Sequence, residues 1–116
     1  MRVLVCGGRD YIDASALWGA LDKLRHEAAH DGMTVIQGGA RGADQLAREW
    51  CVARLVPYLN FPADWIKYGK AAGPIRNQQM IDKGEPTLVL AFPGGPGTAD
   101  MLFRAENACI PVKRII

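Results

Sequence analysis

The chain has 116 residues, and its 14 basic and 12 acidic residues give a formal net charge of +2. This length is typical of one domain, residues 1–116. Because basic and acidic residues are nearly equal in number, the charge does not favour a surface that coats nucleic acid, and any anion site must be local. No apolar run reaches membrane-spanning length, and three cysteines without CxxC spacing favour a reduced, cytoplasmic compartment.

Strand and helix patterns alternate along the chain. In chain order they predict a strand at 2–6, a helix capped by Asp13 and stopped at Gly32, a strand at 33–37, a helix from Ala43 to Arg54, a strand from Val56 to Phe61, a helix from about Ile75 to Lys83, a strand from Thr87 to Phe92, a helix from about Thr98 to Ala108, and a strand from Pro111 to Ile116. The stretch from Pro62 to Pro74 is predicted to be irregular, and Thr98 is predicted to be an N-cap.

This alternation predicts an α/β fold, a three-layer α/β/α Rossmann-like arrangement with a parallel five-stranded sheet. The fold class favours the strand order 3-2-1-4-5. Ligands of such sheets bind beyond the carboxyl ends of the strands, where the strand order reverses. We therefore expect the loops after the first, second and fourth strands to form one crevice.

Three glycine-rich turns follow short apolar runs and lead toward helices, which is how backbone N–H groups are brought to a phosphate. The glycines allow the main chain to approach an anion closely, although tight turns alone could also require them. The predicted phosphate-binding residues are Gly7, Gly8, Arg9, Gly38, Gly39, Arg41, Gly94, Gly95, Gly97 and Thr98.

Polar side chains near these loops suggest how the rest of a nucleotide would be held. Of the basic residues Arg9, Arg41, Lys70 and Arg76, we expect at least two to face the crevice.

Asn77 is a candidate for a ribose or base contact, as is Asp64. Trp65 either stacks on a base or fills the core beneath a long loop. Asp44 and Asp100 are predicted in first helical turns, as dipole partners, ribose-hydroxyl acceptors or a general base.

Several familiar motifs are absent or fail in context. The chain has no G-x-x-x-x-G-K-[ST] string, its first loop is not G-x-G-x-x-G, and Gln37-Gly38 replaces an acidic ribose ligand, which excludes a P-loop and disfavours an ordinary NAD site. The run from His26 to His30 matches H-E-x-x-H but is predicted to be a solvated helix face away from the crevice. We predict neither a metal nor a cofactor.

Five segments together resemble the YspA/cpYpsA-related family of the SLOG superfamily, and the resemblance covers essentially the whole chain. It implies a Rossmann-like fold that binds nucleotides or nucleotide-derived ligands, as a sensor or as a nucleotide-processing domain. The segments are Gly7-Gly8-Arg9-Asp10-Tyr11, Gly38-Gly39-Ala40-Arg41-Gly42-Ala43-Asp44, Pro62-Ala63-Asp64-Trp65, Ala72-Gly73-Pro74-Ile75-Arg76-Asn77 and Phe92-Pro93-Gly94-Gly95-Pro96-Gly97-Thr98-Ala99-Asp100-Met101.

Two related families imply rival functions. The chain is similar to lonely-guy phosphoribohydrolases in their P-G-G-x-G-T-x-x-E and R-K-x-x-M motifs, but Asn77 replaces the lysine and Met101 replaces the catalytic glutamate. Catalysis of that kind would fall to Arg76, Asp100 or Asp44. Those relatives pair through helices, so the resemblance also implies a homodimer. The chain is similar to the DNA-processing protein A family at Gly38 to Asp44 and at Arg76-Asn77, which implies single-stranded nucleic-acid binding.

The expected function is binding of a phosphorylated nucleotide or nucleotide-derived ligand as a sensor or carrier. The first alternative is an N-glycosidic hydrolase of nucleotides, and the second is a single-stranded nucleic-acid module. A net charge of +2 offers little charge for neutralising a nucleic-acid backbone, so this partner is not expected.

Overall fold

The computed structural model describes all 116 residues as alternating strands and helices. The strands are β1 Arg2–Cys6, β2 Thr34–Gln37, β3 Tyr58–Asn60, β4 Leu88–Ala91 and β5 Val112–Arg114. The helices are α1 Ala14–Glu27, α2 Ala43–Arg54, α3 Trp65–Tyr68, α4 Ala72–Asp82 and α5 Pro96–Asn107, with one 3₁₀ turn at Gly69–Ala71. None of these helices is long and apolar enough to cross a membrane.

All five strands are parallel and lie in the order β3-β2-β1-β4-β5, which confirms the predicted topology. The two strands that flank the change of direction, β1 and β4, are in register from Val3 opposite Leu88 to Cys6 opposite Ala91. The loops that follow these two strands therefore begin side by side at one edge of the sheet.

Alternation of side chains along the strands builds a core on each face of the sheet. On one face, Val3 and Val5 pack in a cluster with Leu17, Leu21 and Trp50 of α1 and α2. On the other face, Leu4 and Cys6 pack in a second cluster, which also contains Met80, Ile81, Met101 and Ala105 of α4 and α5. Because every β1 position from Val3 to Cys6 is buried, this central strand reads as a continuous apolar run.

The prediction that residues 62–74 are irregular is wrong. The segment contains α3 and a 3₁₀ turn, and α4 begins at Ala72. Gly73 and Pro74 in the sequence suggested a loop, but they occupy the first turn of α4. Proline is tolerated there because the N–H groups of the first turn have no partner within the helix.

The prediction that Thr98 caps the last helix is also wrong. That helix, α5, begins two residues earlier with Pro96 at its first position, Gly95 is its N-cap, and no side chain caps it. Proline is favoured at the first helical position because its φ is already helical. Asp13, in contrast, is confirmed as the cap of α1, since its Oδ1 accepts a hydrogen bond of 3.0 Å from the Ala16 N–H.

Candidate functional site

The three glycine loops lie together at the carboxyl edge of the sheet. The Gly8 N–H donates to the Pro93 carbonyl at 2.9 Å, which joins the loop after β1 to the loop after β4. The Gly8 carbonyl accepts from the Ala43 N–H at 3.2 Å, which joins the first loop to the start of α2. Residues more than eighty positions apart in the sequence are thereby brought into contact.

These loops, together with α3 and α4, enclose a cavity of about 850 Å³. Its lining comes from residues 5–11, from Ala40 and Asp44, from Trp65, and from parts of residues 70–80 and 93–101. This volume is within the usual range for a small-molecule site, and the position at the point where strand order reverses is the usual one for this sheet.

The start of α5 presents four backbone N–H groups without an acceptor in the protein. They belong to Gly94, Gly95, Gly97 and Thr98, and none of them donates a hydrogen bond, while Pro96 has no N–H. A Cβ added at Gly95 or at Gly97 would meet nothing within 4 Å, so the approach to these groups is open. Free N–H groups and the positive end of the helix dipole together favour a bound anion.

Other glycines of the predicted site serve the packing of the loops. The N–H groups of Gly8 and Gly39 donate to the Pro93 carbonyl and to Gln37 Oε1, so these two amides are already used within the protein. A Cβ on Gly7 would overlap the Cβ of Ala43, and one on Gly38 would overlap the Arg76 guanidinium. Gly38 and Gly39 do not line the large cavity.

Three basic side chains, Arg9, Lys70 and Arg76, line the cavity, but Arg41 does not. Arg41 is exposed and forms an ion pair of 3.3 Å with Asp10. Arg76 is held in place, donating from Nη1 to the Gly38 carbonyl at 2.7 Å and from Nε to Asn77 Oδ1 at 3.1 Å. Burial lowers the pKa of Arg76, although Asp44 opposes this effect, and the guanidinium remains charged at neutral pH.

Asn77 and Asp100 are joined in a network that ties α4 to α5. Asn77 Nδ2 donates to Asp100 Oδ2 at 2.9 Å and to the Gly97 carbonyl at 3.2 Å, and Arg104 Nε donates to the same Asp100 oxygen at 2.8 Å. Burial alone would raise the pKa of Asp100, but the hydrogen bonds from Arg104 and Asn77 outweigh it and lower the pKa. The prediction that Asp100 lies in a first turn is wrong, because α5 begins at Pro96.

Asp44 lies at the second position of α2, in the first turn as predicted, and lines the cavity. It is only 8% exposed, and its Oδ2 accepts a hydrogen bond of 3.2 Å from the Ala40 N–H. Burial raises the pKa of Asp44 to about 6, against the opposing effects of the Ala40 N–H and of Arg76. This is the range in which a carboxylate can exchange protons near neutral pH.

Trp65 and Asp64 occupy different surroundings although they are adjacent. Trp65 lines the cavity, is 48% exposed, and has the Arg9 Cζ at 5.3 Å from its ring centroid. The alternative that Trp65 fills the core is therefore wrong. Asp64 caps α3 by accepting from the Lys67 N–H at 3.0 Å, and it lines a separate cavity of about 180 Å³.

Three further residues line the cavity although the sequence did not assign them to the site: Cys6, Tyr11 and Met101. Cys6 and Met101 form buried parts of the lining, and burial raises the pKa of the Cys6 thiol to about 12, so this thiol stays protonated. Tyr11 also lines the cavity and packs on Phe92 with ring centroids 5.3 Å apart. Its place directly after the first glycine loop is the signal that could have identified it.

The H-E-x-x-H string does not lie on a single helix. His26 is in the last turn of α1, which ends at Glu27, and His30 follows in a turn. His26 lines a cavity of about 570 Å³ that shares no residue with the large cavity. The i and i+4 spacing of a helical zinc motif is thus not formed.

Three comparisons relate this chain to known proteins. A family model described as the YspA, cpYpsA-related SLOG family matches residues 1–68. The Gene 61 protein of Mycobacterium phage D29 is 39% identical over 119 residues, spanning 96% of this chain and 93% of that protein. The X-ray structure of TM1055, a Northeast Structural Genomics Consortium target, has a TM-score of 0.71, covers 96% of this chain and 71% of that chain, and is 19% identical, a likeness that concerns the fold.

Proposed function

The chain belongs to the YspA, cpYpsA-related SLOG family, and from this premise we propose that it binds a phosphorylated nucleotide or nucleotide-derived ligand as a sensor or carrier. The observation that carries the proposal is the set of four unpartnered N–H groups of Gly94, Gly95, Gly97 and Thr98 at the edge of a cavity of about 850 Å³. Such groups bind phosphate oxygens in the manner of a helix N-terminus.

The surrounding side chains supply the other contacts. Arg9 from the loop after β1 and Arg76 from α4 both line the cavity and would neutralise the phosphate. Trp65 offers a half-exposed indole for stacking on a base. Asp100 keeps its Oδ1 without a donor, so a contact with a ribose hydroxyl stays part of the proposal, whereas both amide hydrogens of Asn77 are already used. The homodimer expected from the resemblance stays a prediction.

A pair of alanine variants tests the phosphate contact. Gly97→Ala places a methyl group in open space at the cavity wall and should preserve the fold, since alanine is the better helix residue by about 0.5–1 kcal/mol. We expect it to weaken binding about tenfold, equivalent to about 1.4 kcal/mol. Gly94→Ala would instead overlap Thr98 and the Gly8 main chain, so it should lower the melting temperature.

The measurement is calorimetric titration with AMP, ADP-ribose, NAD and inorganic phosphate, together with thermal melts of each variant. If the wild-type protein bound no member of this panel at millimolar concentration, the proposal would be overturned. If the Gly97→Ala variant bound these ligands with wild-type affinity, the phosphate would not contact the start of α5.

The second candidate function is an N-glycosidic hydrolase of nucleotides. Asp44 favours it, because a buried carboxylate with a pKa of about 6 facing the cavity suits general-base chemistry. Met101 counts against it, since a buried apolar side chain occupies the position of the glutamate in the lonely-guy motif. Incubation of the protein with the same nucleotides, followed by chromatography, should release no free base. Release that Asp44→Asn abolishes would establish the hydrolase instead.

A further inference from the structure

Asp44 is a largely buried carboxylate that accepts hydrogen bonds from the backbone but from no side chain of the protein. It is 8% exposed and lines the large cavity. Its Oδ2 accepts from the Ala40 N–H at 3.2 Å, and the Gly38 N–H also stabilises the carboxylate, but no side chain donates to it and none of the four ion pairs of the structure includes Asp44. A carboxylate has about four lone-pair sites, so backbone donors alone leave acceptor capacity that a ligand facing the cavity can use.

The other two carboxylates of the cavity differ from Asp44 in this respect. Asp10 is almost fully exposed and pairs with Arg41 at 3.3 Å. Asp100 accepts hydrogen bonds from Asn77 and Arg104 at 2.9 and 2.8 Å. Asp44 is therefore the only one of the three that has no side-chain donor.

The groups that act on Asp44 come from three elements. Cys6 faces it from β1, Arg9 from the loop after β1, and Arg76 from α4. The Cys6 thiol has a pKa of about 12 and stays protonated between pH 5 and 8. Guanidinium groups in proteins keep their charge over this range. Neither histidine lines this cavity.

We propose that Asp44 is the specificity-determining acceptor of the cavity. Asp44 accepts a hydrogen bond from an uncharged donor of the ligand, a sugar hydroxyl or a base amino group, and does so only when Asp44 is ionised. This inference rests on the proposed nucleotide-binding function. It adds that simple phosphate is a poor ligand, because it satisfies the N–H groups at the start of α5 but brings no sugar or base donor to Asp44. The proposal also predicts that ligand binding releases a proton at any pH at which Asp44 is protonated in the free protein.

The direction of the pH dependence follows from the charge of Asp44. Burial raises its pKa to about 6, so at pH 7 most molecules carry the acceptor and at pH 5 only about one in ten does. Affinity should therefore fall about tenfold between pH 7 and pH 5. A carboxylate with an ordinary pKa would remain ionised over this range.

ADP-ribose is the suitable probe, because its pyrophosphate lacks the second ionisation near pH 6 that phosphate monoesters have. Calorimetric titrations at pH 5, 6 and 7 compare the wild-type protein with Asp44→Asn and with Asp10→Asn, which removes the same charge from the cavity rim. We expect Asp44→Asn to bind more weakly at pH 7 without pH dependence, and Asp10→Asn to behave as wild type. Repeating the titration with the inosine and the 2′-deoxy analogues identifies which donor Asp44 contacts.

Each result separates the inference from the function on which it rests. Binding that is independent of pH, or an Asp44→Asn variant with wild-type affinity and a folded melting curve, overturns the role of Asp44 and leaves nucleotide binding intact. Absence of binding to ADP-ribose, AMP and NAD alike overturns both. Inorganic phosphate that binds as tightly as ADP-ribose contradicts the requirement for a donor.

Discussion

Asp44 carries a negative charge into the interior of the domain without an ion-pair partner. The shift of its pKa from 3.8 to about 6 is dominated by burial, which disfavours the charged form. The folded protein therefore binds a proton more tightly at this site than the unfolded chain does. Residues that destabilise the free protein in this way are concentrated at functional sites.

Substitution of Asp44 by asparagine should stabilise the protein above pH 6. In the wild-type protein, the stability associated with protonated Asp44 is present below pH 3.8 and is lost as the pH rises through about 6. Since a tenfold change in proton affinity equals about 1.4 kcal/mol, Asp44→Asn should raise the free energy of unfolding by up to about 3 kcal/mol at pH 8. The gain should disappear near pH 4.

Urea denaturation at pH 4 and pH 8 measures this difference, with Asp10→Asn as the control. Asp10 is almost fully exposed, so its substitution should change the free energy of unfolding by less than about 0.5 kcal/mol at either pH. A loss of stability in Asp44→Asn at pH 8 would mean that the N–H groups of Ala40 and Gly38 outweigh the cost of burying the charge.

At the scale of elements, α3 is attached to the domain only weakly. Neither α3 nor the following 3₁₀ turn contains a buried residue. In the cavity wall, Trp65 lies beside Gly73 and under Arg9, whose Cζ is 5.3 Å from the centroid of the indole ring. Removing a half-exposed ring from such an element should leave the core unchanged.

Trp65→Ala is therefore expected to weaken the binding of nucleotides without destabilising the protein. Stacking of an aromatic side chain on a base contributes about 1–3 kcal/mol, so the affinity for AMP should fall about tenfold, while the free energy of unfolding changes by less than about 0.5 kcal/mol. Ribose 5-phosphate, which has no base to stack, is the matched ligand control and should bind both proteins equally. An unchanged affinity for AMP would remove Trp65 from the site.

The sequence predicted the regular elements better than the irregular ones. The alternation of apolar runs with amphipathic segments was sufficient to predict a parallel α/β fold, and the strand order followed from that fold class, because βαβ units have few allowed arrangements. The helix starts at Ala72 and Pro96 were missed for a shared reason: glycine and proline indicate loops in a sequence, yet they are also favoured in the first turn of a helix. Local pattern cannot distinguish these two uses.

At the scale of the whole molecule, the strand order determines which residues can form the site. Because β1 and β4 are neighbours, Gly8 contacts Pro93, and α4 meets α5 so that Asn77 reaches Asp100. The sequence predicted that the loops converge, but it could not predict which of their groups form hydrogen bonds with one another. The hydrogen bond of the Gly8 N–H and the burial of Asp44 without a side-chain donor depend on tertiary contacts between distant segments, which no local pattern records.

The charge of the whole molecule provides the test of the nucleic-acid alternative. The cavity is lined by three basic side chains, Arg9, Lys70 and Arg76, and by three carboxylates, so it presents no continuous basic groove. The net charge of the chain is +2. With three phosphate contacts at most, the logarithm of the affinity for a single strand should fall with the logarithm of salt concentration with a slope no steeper than about −2.

We therefore expect a thymidine oligonucleotide of about 20 residues with a 5′-hydroxyl end to bind only in the millimolar range at 0.15 M salt, measured by fluorescence anisotropy. The 5′-hydroxyl end matters because a terminal phosphate could occupy the N–H groups at the start of α5 as a mononucleotide would. Micromolar affinity with a slope steeper than about −4 would require more basic contacts than the cavity provides. In that case the relevant surface would lie outside the cavity, and the binding of a small nucleotide would not compete with the oligonucleotide.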